Sequence, residues 1–323
     1  MNIIASLALS IVLLASLSGC ATTGRQVTDM PVSQKTMSEA QAIVDGARST
    51  NEIMYQLSVA AIADCKESDA LFRAPFSLLF NHPGIKSEEM RTAIFKVLGA
   101  NEFPVIQAHT QALAAFDGLR VKSVNRVDAS NIGKTDKMVF ESSTENKVME
   151  IVMEDGRTMS ARSTAACPSI VNTDYFGTLK EAQNLGTVGE MTPKAWLVVA
   201  KSRDEAAFIL ARSIYFTGAG GRVALVHALY MGAAASGVLK GLTLGIGNLI
   251  VDPKMIAVRM QRKSHRADAD AFAVHAMRLA GYDSHAALAL ARRSLETAST
   301  WPDDADELKF DQERLARLTL LVN

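Results

Sequence analysis

Apolar and polar positions along this chain follow two different periods. From Thr36 to Ala63 the residues Ile43, Ala47, Ile53, Leu57 and Ala61 recur at helical spacing, with Gly46 as the weak point. A short helix is predicted from Ser87 to Leu98, where Glu88 and Glu89 suit the positive end of the helix dipole. The period then falls to two. Phe103–Ala108, Leu119–Val127 and Lys147–Met153 predict strands, and Glu154-Asp155-Gly156 predicts a hairpin turn into Thr158-Met-Ser-Ala. Helical spacing returns in the second half. Ser202-Arg-Asp-Glu205 forms a capping box, opening a helix that runs to about Thr217 and stops at Gly218-Ala-Gly-Gly. Asp252-Pro253 opens another, ending at Ala280 with Gly281 as its stop. Ser284 is read as the cap of a helix through Leu295. A last helix, from about Asp304 to Leu321, carries Leu308, Leu315, Leu318 and Val322 on one side. The pattern predicts an α+β chain, β-rich first and mainly helical afterwards.

Two apolar runs stand outside this scheme. Val223–Val251 is rich in Gly and Ala but interrupted by His227, Lys240 and Asn248, which predicts a buried helical hairpin rather than a membrane span. Ile3–Leu17 is too short for a span and ends in Leu17-Ser18-Gly19-Cys20. That ending resembles the lipobox of bacterial lipoproteins, although no Lys or Arg precedes the run; the other reading is an ordinary buried or anchor helix. The resemblance implies removal of residues 1–19, a lipid anchor on Cys20, and a polar tether to about residue 35. With Ala21 after the cysteine, it implies the periplasmic face of the outer membrane in a cell with two membranes.

Composition narrows the partners. Lys plus Arg and Asp plus Glu both number 34, so there is no excess charge to draw the 323-residue chain onto nucleic acid. A hydrophobic content of 48% excludes a mainly disordered chain. Outside the cytoplasm Cys65 and Cys167 form either a disulfide or two buried free thiols.

Gln111-Ala-Leu-Ala-Ala-Phe-Asp-Gly-Leu followed by Val121-Lys-Ser-Val-Asn is similar to the turn and strand of a PDZ-like module in periplasmic proteases. The carboxylate-binding loop would fall near Ala74-Pro75-Phe76-Ser77, which has no glycine, so a working peptide groove and a purely structural β-domain both stay open. Farther on, Asp204-Glu205-Ala-Ala-Phe-Ile-Leu-Ala211, Arg266-Ala267-Asp268 and Leu279-Ala-Gly-Tyr-Asp283 occur in order. They resemble zinc metallopeptidase family forty-eight, the HtpX- and BepA-like group, over about residues 60 to 323. Thr192 and Ala195-Trp-Leu197 resemble its strand before the active helix. The resemblance implies a PDZ-like β-rich domain (67–165) and a gluzincin-like helical domain (166–323), preceded by an acylated tether and helix (20–66).

That family's chemistry needs two His at i and i+4 on one helix face, an intervening Glu as general base, and a third ligand from a later helix. At these positions the chain has Arg212, Ser213, Phe216 and Arg266. A guanidinium stays protonated and has no lone pair to donate, and Phe offers nothing to a metal. The expectation is a zinc-free domain with no cofactor, acting by binding envelope proteins or peptides. Asp268 is expected to accept a bond from Arg212 and clamp the two helices. Val188-Gly189-Glu190-Met191-Thr192 matches the strand that pairs with substrate in active relatives and is the expected peptide-binding edge. Two alternatives remain: an active peptidase with a non-standard metal site from His265, Asp268 and His275, and a purely structural lipoprotein. There is no glycine-x-serine-x-glycine elbow and no phosphate-binding glycine loop.

Overall fold

The computed structural model describes residues 30–65, 71–80, 87–99, 103–167, 199–215, 265–301 and 308–323. Of these, 56% are helical and 17% are in strands, which makes the chain α+β. The order is α1 (Gln34–Ala60), β1 (Leu71–Arg73), β2 (Phe76–Leu79), α2 (Glu88–Leu98), β3 (Val105–Ala108), β4 (Val121–Val124), β5 (Val127–Asp128), α3 (Ile132–Thr144), β6 (Val148–Met153), β7 (Thr158–Arg162) and β8 (Thr164–Ala166). The helices α4 (Arg203–Ile214), α5 (Arg266–Leu279), α6 (Ala286–Glu296) and α7 (Gln312–Val322) follow. Among the described residues no helix is long and apolar enough to cross a membrane.

The β-rich part is built around an antiparallel sheet in the order β5-β4-β6-β7. Met149, Ile151 and Met153 alternate inward along β6, with Met159 and Ala161 beside them on β7, so one face closes on Val121, Val124, Ile106 and Phe76. β2 pairs with β3, and an isolated bridge from Val105 to Arg120 ties β3 to the approach of β4. The β6–β7 turn uses Gly156 at φ 88°, a left-handed position that glycine reaches without strain. The sequence reading leaves α3 unassigned. Asn131 caps it by accepting the Lys134 N–H at 3.2 Å.

α1 serves two cores. Its first half buries Ala40 and Val44 against Ala93 and Ile94 of α2, and Glu89 stitches the two together by accepting from Ser33 N and Thr36 Oγ1. Its second half puts Ile53, Met54 and Leu57 into the core of α4–α7. Leu57 is completely buried there, worth about 2 kcal/mol. Residues 30–65 thus pack on both cores, and β8 pairs with β1. Cys65 and Cys167 form a disulfide with 5.6 Å between their Cα atoms, and Cys167 N donates to Ser58 O at the end of α1.

In the helical part, Ser202 caps α4 by accepting Glu205 N. The cap of α6 differs from the sequence reading. His285 holds the N-cap position, Asp283 Oδ1 accepts His285 N, and Ser284 contributes only its backbone carbonyl, to Ala287 N. The last helix begins at Gln312 with Asp311 as its cap, later than expected.

Candidate functional site

Three helices converge around Arg212. α4 supplies Arg212, α5 supplies Asp270 and α7 supplies Arg314, each side chain at most 4% exposed. Arg314 grips Asp270 in a fork, Nε to Oδ2 and Nη2 to Oδ1, both at 2.7 Å. Its Nη1 donates to Lys309 O, and its guanidinium lies 3.8 Å over the Phe310 ring. This is the bidentate, stacked geometry that suits arginine rather than lysine. Arg212 approaches from the other side with Nε 2.9 Å from Asp270 Oδ1. That N–H is off the line of a hydrogen bond, so the contact is an ion pair in distance and charge.

Arg212 thus finds its carboxylate, but at Asp270 and not Asp268. Two positions on a helix lie about 200° apart, so the two aspartates face opposite ways. Asp270 shares the inward stripe of Ala273, Val274 and Met277, whereas Asp268 is 65% exposed and faces His265, with Nδ1–Oδ2 3.3 Å. Arg266 is half-buried with its Nε inside the protein. Ser213 is fully buried and donates to Ile209 O at 3.4 Å, so its proton is committed to the helix's own backbone. Phe216 lies outside the described residues, as do Cys20, the strand Val188–Thr192, Ala195-Trp-Leu197 and the apolar stretch 223–251.

His265, Asp268 and His275 do not converge either. His265 Nδ1 is 3.5 Å from the Tyr215 hydroxyl. His275 is ten residues on, a rise of about 15 Å, and its Nε2 faces Asp64 Oδ2 at 3.3 Å. Among the described residues no three His, Cys, Asp or Glu side chains come together as a metal-binding group.

A second, partly buried pair goes unnoticed in the sequence reading. Glu205 accepts Arg293 Nη1 on Oε1 at 2.8 Å and Arg293 Nη2 on Oε2 at 2.6 Å, while Oε2 also accepts Lys201 N. Arg293 Nη2 reaches Val199 O as well. The Glu205 carboxylate holds Arg293 above the ordinary arginine pKa. The capping-box spacing signalled Glu205, but only as a backbone cap; its link to α6 depends on a residue 88 positions away. Two carboxylates, Asp270 and Glu205, therefore lock α4 to α5, α6 and α7.

The comparisons with known proteins add no relative. Neither a protein-family model, nor a curated protein, nor a solved structure matches the chain. Around Arg212 the residues provide fixed positive charge and one shared carboxylate. That set can hold helices together, with both oxygens of Asp270 engaged by guanidinium groups.

Proposed function

We propose that this chain is a catalytically silent, peptidase-like protein of the cell envelope. It is tethered by a lipid on Cys20 at the periplasmic face of the outer membrane and works by binding proteins or peptides. In this reading residues 67–165 form a PDZ-like module and residues 166–323 a zinc-free gluzincin-like domain. The observation that carries it is the buried contact of Arg212 and Arg314 with Asp270. A divalent ion beside two guanidinium groups would meet repulsion instead of donors. Without a metal, a water keeps its bulk pKa and no general base stands ready to activate it.

The test is metal content and activity together. Purified protein is expected to hold far less than one zinc per chain, and casein is expected to remain intact with or without chelator. A stoichiometric ion with chelator-sensitive hydrolysis would overturn the proposal in favour of an active peptidase. Binding is tested separately with bulky substitutions along Val188–Thr192. Envelope proteins retained by the wild type and lost by that variant support a binding edge. Equal retention by both would place binding on another surface, and no retention by either would favour a purely structural lipoprotein.

A further inference from the structure

The β2–β3 side of the β-rich module meets α1 through a polar seam, whereas its β8 end joins α1 through the disulfide and an apolar core. Arg48, Asn51 and Tyr55 share one stripe of α1 at helical spacing, and Gln107 and His109 share one face of the β3 strand line at a spacing of two. Gln107 Nε2 donates to Arg48 O at 2.6 Å, and Asn51 Nδ2 donates to Gln107 Oε1 at 3.2 Å. Below them the Tyr55 ring stacks on the His109 imidazole, centroids 5.1 Å apart and planes 22° off parallel. The Tyr55 hydroxyl lies 3.4 Å from Thr164 Oγ1.

His109 is held in the middle of the seam, stacked on Tyr55. Nε2 shares a 2.7 Å hydrogen bond with Ser77 Oγ on β2, whereas the buried Nδ1 has no partner among the described residues. A neutral imidazole needs one donor and one acceptor contact, but the cation must donate from both nitrogens. The charged groups around it do not supply the missing acceptor. Glu52 on α1 has its Oε1 engaged by Arg203 at 2.7 Å and by Gln56, and it makes no hydrogen bond to Nδ1. Asp117, after the turn that follows β3, accepts Ala108 N and Arg48 Nη1. Arg73 on β1 adds like charge.

We propose that His109 is an acid-sensitive pin: proton uptake on its imidazole parts the β2–β3 side of the β-rich module from α1 while the apolar cores and the disulfide-held β8 end stay closed. Opening the seam gives Nδ1 a water to donate to and relieves the repulsion from Arg73. Desolvation first, and Arg73 after it, push the His109 pKa down to about 4 against the partial pull of Glu52 and Asp117. The opened form keeps an ordinary histidine pKa near 6.5. The closed seam is therefore fully favoured above about pH 6.5, loses ground as pH falls from there toward about 4, and loses no more below that.

The test is amide hydrogen exchange on the full chain, read in peptides covering Thr50–Tyr55 and Val105–His109 and corrected for intrinsic rates. In wild type, exchange there is expected to rise about tenfold or more between about pH 7 and about pH 4.5, with peptides from α4 and β6 unchanged. In His109→Phe, which keeps the stack but cannot titrate, the rise is expected to be at most about twofold. His109→Asn serves as a second non-titrating variant if the Phe variant fails to fold by circular dichroism at neutral pH. An equal rise in wild type and non-titrating variant would overturn the proposal. So would an imidazole titrating near 6.5 by NMR with the seam closed, or α4 and β6 opening in step with the seam.

Discussion

Asp270 answers two buried cations at once, and that fixes what its loss should do. In Asp270→Asn the Arg212 and Arg314 guanidiniums stay inside with the negative charge of Asp270 gone, and breaking a buried ion pair on one side costs about 3–5 kcal/mol. Asp268→Asn removes only a mostly exposed charge beside His265, a change of about 0–1 kcal/mol. Urea midpoints at neutral pH should separate the two variants clearly, and equal midpoints would disprove the assignment of Arg212 to Asp270. The sequence signalled that Arg212 needed a carboxylate, since a buried guanidinium cannot shed its proton. It pointed to the wrong one because the family triplet drew the eye to Asp268. Helical period alone selects Asp270, in line with Ala273, Val274 and Met277. A smaller residue-scale prediction concerns the β4–β5 hairpin. Asn125 and Arg126 both have positive φ, 47° and 68°, as the tight primed turn demands. Asn tolerates that region; Arg does not. Arg126 is exposed, so Arg126→Gly is expected to stabilise the chain by about 0.5–1 kcal/mol, read as a raised Tm.

At the scale of elements, α4 shows how one cap can carry two jobs. Ser202 Oγ satisfies Glu205 N, and removing such a cap costs about 1 kcal/mol. Glu205 itself binds Arg293 and Lys201 N while almost wholly buried. Glu205→Ala is therefore expected to cost more than Ser202→Ala, about 3 kcal/mol or above. Arg293→Ala should add little to a chain already lacking Glu205, and a double-mutant cycle by chemical denaturation checks this. Additive losses would show that the two side chains do not act as a pair. Elements with strong apolar stripes and clear caps, such as α1 and α2, were readable in the sequence to within a few residues. α3 was not, because its inward stripe is Thr135, Met138, Val139 and Ser142. The spacing is helical, but half the stripe is hydroxyl. Thr135 Oγ1 bonds Asn131 O, and Ser142 Oγ accepts from Asn125 Nδ2, so those polar groups can be buried. A reading based on hydrophobicity alone passes over such a helix.

At the scale of the whole molecule, α1 is the element on which the two parts meet, and the disulfide fixes the end of it. Local patterning could not show this, because the helix stripe at Ile53, Met54 and Leu57 does not say which distant helices cover it. Cys65 and Cys167 close a loop across 102 positions, a separation for which the chain-entropy model assigns about 4–5 kcal/mol. Both cysteines are buried, at 8% and 0% exposure, and belong to the same core as Leu57 and Phe208. The bond therefore restrains the β8 end of the module and the helical core together. Replacing both cysteines by Ser is expected to lower the unfolding free energy by about 2–5 kcal/mol. Because the thiols sit in a shared core, the loss should appear in the helical part and not only in the strands. Near-ultraviolet circular dichroism of Trp301, buried in that core, followed against urea, reads the helical part directly. If the Trp301 midpoint is unmoved while the strand signal shifts, the disulfide staples the β-rich module alone and the role of α1 as a shared spine is wrong.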